Sequence, residues 1–443
     1  MTNHTQTLAA CAECGMVTRV PELQPGQTAS CPRCDHTLTS CVPDCRNKVF
    51  AYSTAALILL AVSCFFPFME ISVQDIHQKI VLLDALSVFY YFNNGGVASL
   101  LVITIVLLPV LYLCGLILLF FLATRRRVSS PAGNRPAIKF IYRFVFGFEP
   151  WLLADIFFIG VLVSIIKMAS MTDIDVGIAF WTYLLFTLLL VKSSRTVDRT
   201  WLCSRLFAPV DTGDVRPGDT HLTGNHLVCH LCGQINPLTA GHTHCRCRRC
   251  NCRLHEFNPR KSIHISAALL LTSLIFYFPA NLYPMMFTTS FGDSDGSTIM
   301  DGVIMLWKMG SYPIALVILT ASIILPLTKM LILAHLLWSQ HKLMPQSEHS
   351  ALEKLKLYRF IELIGRWSMI DVFVVAILTA LVQFGELMRV TPGSAVFYFA
   401  LVVVFTLIAT HRFDPRILWQ LSETTAIAHS DAAYSNPQRE QHG

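Results

Sequence analysis

The 443 residues are 53% hydrophobic and only 14% charged, against about 25% charged in an ordinary soluble chain. That excludes a simple soluble domain and points to a membrane protein with several spans. The net charge of +6 is modest and needs no nucleic acid to explain it, because the basic residues fall where membrane topology would put them.

Residues 1–48 are polar and lack the apolar core of a cleavable leader, which predicts an N-terminus on the cytoplasmic side. Cys11-Ala-Glu-Cys14 and Cys31-Pro-Arg-Cys34 are 16 residues apart. In a reducing compartment two such pairs read as the four thiolates of one zinc ribbon rather than as disulfides. A domain this small needs such a metal to fold.

Eight apolar runs follow, each about long enough to cross a ~30 Å hydrocarbon core. They are 50–69, 97–122, 151–168, 176–191, 263–284, 313–338, 367–384 and 394–410. Outer loops and adjoining helix ends would hold only Lys79, Lys167, Lys308 and Arg389, and Lys329 falls inside a span. The remaining Lys and Arg residues lie on the inner side, so both termini are expected to be cytoplasmic. Two stretches beside the spans, Ile138–Phe148 and Leu352–Ile364, are amphipathic and are expected to lie on the inner membrane surface. Pro279 and Pro284 should break or kink the end of span five, with Asn281 at hand for the freed backbone groups.

The chain repeats itself. Leu107-Leu-Pro109 recurs as Ile324-Leu-Pro326, and Trp151-Leu-Leu-Ala-Asp155 recurs as Trp367-Ser-Met-Ile-Asp371, at offsets of 217 and 216. A second Cys cluster precedes span five. Cys229, Cys232, Cys247 and Cys250 match the first cluster best, with Cys245 and Cys252 as substitutes. The expected fold is an all-α polytopic membrane protein of two tandem repeats in parallel orientation, one of the transporter architectures. Ribbon 1 takes 1–48, transmembrane unit 1 takes 49–205, and a linker with ribbon 2 takes 206–261. Unit 2 takes 262–421, and a disordered tail takes 422–443. Two structural zinc ions per chain follow.

Ionisable residues inside spans cost about 2.5–3.5 kcal/mol each on insertion scales. Lys329 and Asp371 are two of them, at depths close enough to pair. Ser322, Ser368 and Thr406 add hydroxyls nearby, and Asp155 is the first-half twin of Asp371, whereas Lys329 aligns with Tyr112. The group reads either as a structural ion pair with ordinary packing or as the lining of a polar cavity that moves a proton or a cation.

These motifs carry a resemblance. The Cys clusters, Phe278-Pro-Ala-Asn-Leu282 with Pro284, Ala321-Ser-Ile-Ile-Leu-Pro326 with Lys329, and Gly365-Arg-Trp-Ser-Met-Ile-Asp371 resemble the paraquat-inducible protein A family, the PqiA/LetA inner-membrane proteins of Gram-negative bacteria. Gly160-Val-Leu-Val-Ser164 with Lys167 looks closer to the PqiA branch. The resemblance implies a tetraspanin-like four-helix unit in each half. It also implies phospholipid transport between the two membranes, with a periplasmic MCE-domain protein as partner. The family's polar pocket would fall on Ser322, Lys329, Ser368, Asp371 and Thr406, and Asp155 matches the first-half acidic position. No ATP-binding G-x-x-x-x-G-K-[ST] motif and no Ser/His/Asp arrangement is present, so a non-enzyme is expected. The competing function is a membrane scaffold or sensor whose ribbons dock partners.

Overall fold

In a computed structural model the described residues are 7–73, 76–81, 102–125, 136–168, 173–290 with gaps at 209, 211, 224–225, 239–245 and 255, then 293–310, 312–341, 348–367, 373–374 and 388–419. Most of 367–384, the expected span seven, lies outside them, as does the tail from 420.

The bulk of the chain is helical. Helix α1 is Cys45–Phe65. A π-helical segment, Ile103–Leu107, leads into α2, Leu108–Arg125. Then come α3 (Pro136–Phe148), α4 (Ala154–Met168), α5 (Ile178–Thr196) and the short α6 (Arg199–Leu206). In the second half, α7 is Pro259–Leu282 and α8 is Ile299–Lys308. Helix α9 (Tyr312–Leu319) passes through a second π-helical segment, Thr320–Ile324, into α10 (Leu325–His341). Helices α11 (Glu348–Trp367) and α12 (Ala395–Arg412) complete the described set.

Six helical runs among the described residues are long and apolar enough to cross a membrane: Cys45–Phe65, Ile103–Arg125, Pro136–Ile165, Pro259–Leu282, Ala315–Gln340 and Ala395–Arg412. Helix α5, the expected span four, is 19 residues long but ends in the polar sequence Lys192-Ser-Ser-Arg195.

The chain is not all-α outside its ribbons. Strand β5 (Pro67–Val73) is flanked by β6 (Ile76–Val81) and β7 (Asp173–Val176) in an antiparallel sheet. The second half repeats this with β10 (Met286–Ser290) between β11 (Asp293–Ser297) and β12 (Met388–Pro392). The segments are short and rich in β-branched residues, such as Thr288-Thr289 and Val390-Thr391, and three paired strands satisfy backbone groups that an irregular loop would leave open. The sheets also move helix ends. Span one, expected to reach residue 69, stops at Phe65 because Pro67 begins β5.

Span five starts earlier than expected, at Pro259. Asn258 caps it by accepting from the Lys261 N–H at 3.1 Å, and a proline suits the first helical position. Pro279 sits within its last turn without ending it, and Asn281 donates through Nδ2 to the Tyr277 carbonyl at 2.8 Å.

Helix α1 packs along α5 and α7 along α12. Small side chains make both contacts close. Ser53 and Ser193 hydroxyls meet at 2.8 Å, and Ser266 donates to the Ala409 carbonyl at 3.1 Å. Helix α7 buries Ser266, Ser273 and Ala280, seven residues apart, as one stripe. In membranes, where apolar burial drives little, such close approach carries the association.

Candidate functional site

The candidate metal sites come first in the chain. Hairpins β1–β2 (Thr7–Ala10 with Val17–Val20) and β3–β4 (Thr28–Ser30 with Thr37–Ser40) each present one Cys pair. Cys11, Cys14, Cys31 and Cys34 bring their sulfurs within 4.8 Å of one another, and so do Cys229, Cys232, Cys247 and Cys250 beside β8 (His226–Val228) and β9 (Ile235–Pro237). Neighbouring Sγ atoms stand 3.4–3.6 Å apart. A tetrahedron with ~2.3 Å metal–sulfur bonds has edges of about 3.8 Å, so four thiolates here suit zinc. Of the two substitutes for the second ribbon, Cys252 turns to His230 Nε2 at 4.0 Å instead, and Cys245 lies outside the described residues.

All four Cys pairs use one local device. The residue after the second Cys is left-handed: Gly15 (φ 75), Asp35 (φ 58), Gly233 (φ 66) and Asn251 (φ 59). Its N–H bonds back to the first Cys carbonyl at 2.9–3.0 Å. Gly, Asp and Asn are the residues that tolerate this conformation, so the knuckle was readable as C-x2-C-[GDN].

Sequence reasoning missed where the ribbons dock. Each ribbon packs on the transmembrane unit of the other half. The first ribbon's four cysteines share a core with Leu333, Leu336, Leu355, Tyr358, Phe413 and Trp419 of the second half. Arg359 on α11 donates to both carboxylate oxygens of Glu13 and to the Cys34 carbonyl at 2.7 Å. Arg33 stacks over the Trp419 ring at 4.4 Å. Burial works against the Glu13 carboxylate, but hydrogen bonds from His36 and Arg359 hold it below the usual carboxylate range. The hydrogen bond to Glu13 pushes the His36 imidazole up.

The second ribbon sits on α3 of the first half in the same manner. Tyr142 donates to the Leu231 carbonyl at 3.3 Å, and Arg143 to the Asn251 carbonyl at 3.4 Å. Tyr142-Arg143 and Tyr358-Arg359 are 216 residues apart. That offset is the signal that would have found the clasp. Both helices, expected on the membrane surface, hold the ribbons with their buried faces, while Phe140, Phe360 and Leu363 stay exposed.

Within the membrane region, Lys329 on α10 is only 2% exposed. Its Nζ donates to Thr406 Oγ1 on α12 at 3.1 Å, and that hydroxyl donates onward to the Val403 carbonyl at 2.9 Å. Lys329 is the one Lys or Arg buried among the described residues. Gly365 on α11 closes the same space: a Cβ there would stand 3.3 Å from Lys329 Nζ. Ser322, also 2% exposed, lies in the π-helical segment two turns before Lys329. That segment precedes Pro326, and the Leu325 N–H reaches back five residues to the Thr320 carbonyl. Such π-turns recur at functional sites.

Lys329 and Thr406 are thus in direct contact. Ser368 and Asp371 lie outside the described residues. Asp155 stands apart, at the start of α4, in a first-half groove of about 510 Å³ shared with Phe158, Leu184, Thr187, Lys192 and Arg195.

Repeated helical units with two four-cysteine groups and a buried lysine in a span define a multi-pass membrane protein built from two repeats. Comparison with known proteins gives the family. The paraquat-inducible protein A profile matches residues 47–206 and 263–423, and the chain belongs to that family. It is 36% identical to the intermembrane transport protein PqiA of Escherichia coli K12 over 419 residues, 94% of this chain and 96% of that one. It is 27% identical to a probable intermembrane transport protein of Haemophilus influenzae, over 93% of this chain and 95% of that one. It is 26% identical to the lipophilic envelope-spanning tunnel protein A of E. coli K12, over 94% of this chain and 91% of that one. No solved structure matches.

Proposed function

We propose that the chain is the inner-membrane component of an intermembrane lipid transport system. It loads or extracts phospholipid for a periplasmic MCE-domain tunnel protein and is not an enzyme. In this reading the chain crosses the bacterial inner membrane eight times, with both termini and both zinc ribbons in the cytoplasm. The observation that carries it is the buried Lys329–Thr406 contact inside a span, on a chain whose relatives bear the names of intermembrane transporters. A desolvated ammonium held by a hydroxyl needs a negative partner. Asp371 supplies it at rest, and a lipid phosphate competes for it during transport. With Ser322 and Ser368 the group forms a polar cavity, and proton exchange at Asp371 couples its opening to an ion gradient.

The experiment is lipid identification by mass spectrometry on the purified chain, with Asp371→Asn and Lys329→Ala alongside. The transport reading expects co-purified phospholipid that both variants lose or change. If both keep the lipid and envelope function at normal expression, the chain is a scaffold whose ribbons dock partners. Metal analysis is separate: two zinc ions per chain are expected, and fewer would remove one ribbon from the assignment.

A further inference from the structure

Between the two ribbons and the nearby helix ends lies a chamber of about 1240 Å³. Ribbon 1 lines it with His36 and Leu38, and ribbon 2 with His226, His230 and Arg253. The space is open on one side, and helix ends complete its lining, among them the start of α7 at Lys261 and Ser262 and the end of α12 at Arg412.

The lining is lopsided in charge. It holds Arg199, Arg253, Lys261, Arg412 and Arg416 against the carboxylates Glu256 and Asp414. Two of the five cations are already satisfied: Arg199 pairs with Glu149 at 2.7 Å, and Arg416 with Asp414 at 2.6 Å. Arg253, Lys261 and Arg412 have no acidic partner among the described residues and are exposed to the chamber. Helix α7 also brings its positive end here, with no acidic residue in its first turn, and that end favours an anion. The histidines do not make this a metal site, because the two four-cysteine groups are the ligand clusters found among the described residues. Against the one lining carboxylate left over, Glu256, these three cations and a helix N-terminus around one space still raise its potential and concentrate anions in it.

We propose that this chamber binds a phosphate-bearing anion, with Arg253, Lys261 and Arg412 as its ligands. Guanidinium groups fork onto phosphate oxygens, and the lysine acts as a point charge beside them. Two sources share this chemistry. One is an anionic phospholipid headgroup entering at the membrane surface, where Ile265 of α7 reaches the lining. The other is a free phosphate compound. The site does not depend on the transport reading, since its test reads binding alone.

The test uses the full chain in phosphatidylcholine nanodiscs. It is titrated calorimetrically with inorganic phosphate and, separately, with dioctanoyl phosphatidylglycerol. Saturable binding of at least one probe is expected, weakened at least tenfold in R253Q/K261Q/R412Q with zinc content unchanged. Binding of phosphatidylglycerol alone assigns the site to a headgroup, and binding of inorganic phosphate to a free compound. If the triple variant fails to fold, Arg253→Gln alone should weaken the bound probe severalfold. No saturable binding by the native chain, or binding that the folded variants leave unchanged, overturns the proposal.

Discussion

The two halves agree in backbone and part company at three side chains. Both have a π-helical segment before a proline, both have a three-stranded sheet beyond the spans, and both hold a ribbon through an arginine at matching positions of α3 and α11. At the repeat offsets, however, Ser322 stands opposite Ile105, Lys329 opposite Tyr112, and Thr406 opposite Leu190. The first-half residues are all buried, and the Tyr112 hydroxyl has no hydrogen-bond partner among the described residues. The same frame thus encloses an apolar cluster in one half and an ammonium–hydroxyl pair in the other. The frame is the shared invention; the polar chemistry is local to unit 2.

The largest expected effect comes from breaking that asymmetry at its charge. Lys329→Met keeps the volume and removes the ammonium. Transport in a reconstituted lipid-transfer assay should fall to background, while thermal stability holds or rises, as is common when a buried charge gives way to an apolar group. Tyr112→Phe removes a hydroxyl that makes no hydrogen bond among the described residues, so it should leave transport unchanged. Equal losses from both variants would mean the halves share the work.

Next is Thr406→Leu, which installs the first-half residue in the second half. Losing a hydrogen bond to a charged group costs about 1.5–3 kcal/mol, so transport should drop by roughly tenfold or more. Leu190→Thr should be nearly silent.

The clasps separate the halves by strength. Arg359 meets a carboxylate and Arg143 only a carbonyl. Arg359→Ala should cost about 2 kcal/mol after allowing for its partial exposure, and Arg143→Ala about 1 kcal/mol, read by protease release of each ribbon. The first clasp also depends on pH. The lowered Glu13 value, held down in part by Arg359, contributes docking above the ordinary carboxylate range and loses it as pH falls through the lowered value. The His36–Glu13 pair lies within ribbon 1, and Arg359 pushes His36 down, so His36 adds to the ribbon rather than to its docking. Ribbon 1 should therefore stay docked at neutral pH and loosen on acidification through the carboxylate range. A protease profile that stays flat from about pH 6 to about pH 3 would exclude that coupling.

The smallest effect is at glycines. A Cβ on Gly365 crowds Lys329 Nζ, whereas one on Gly147 of α3 meets nothing within 4 Å. Gly365→Ala should cost about 1 kcal/mol, and Gly147→Ala should gain about as much from helix propensity.

Much of this was legible in the chain. Cys spacing named the eight cysteines that gather in two groups of four, because a C-x2-C turn is local geometry. The 216–217 offsets exposed the repeat, and the Leu-Pro match marked the two π-helical segments without naming them. Apolar runs placed most helices, but their ends moved with caps and strands that hydropathy does not weigh. The sheets were missed because five-residue strands leave a weak signal beside twenty-residue spans. Cost singles out Lys329 and the family resemblance groups it with Thr406, but the contact itself joins residues 77 apart, and no periodicity reaches that far. The exchange of ribbons between halves had the same obstacle.

That exchange also sets a schedule for biogenesis. Ribbon 1 is translated first, but its Arg359 clasp is 325 residues downstream of Cys34. At about 5–20 residues per second the ribbon waits some tens of seconds, undocked, until α11 emerges. A gene cut at the repeat boundary would give two products, each holding the ribbon that packs on the other.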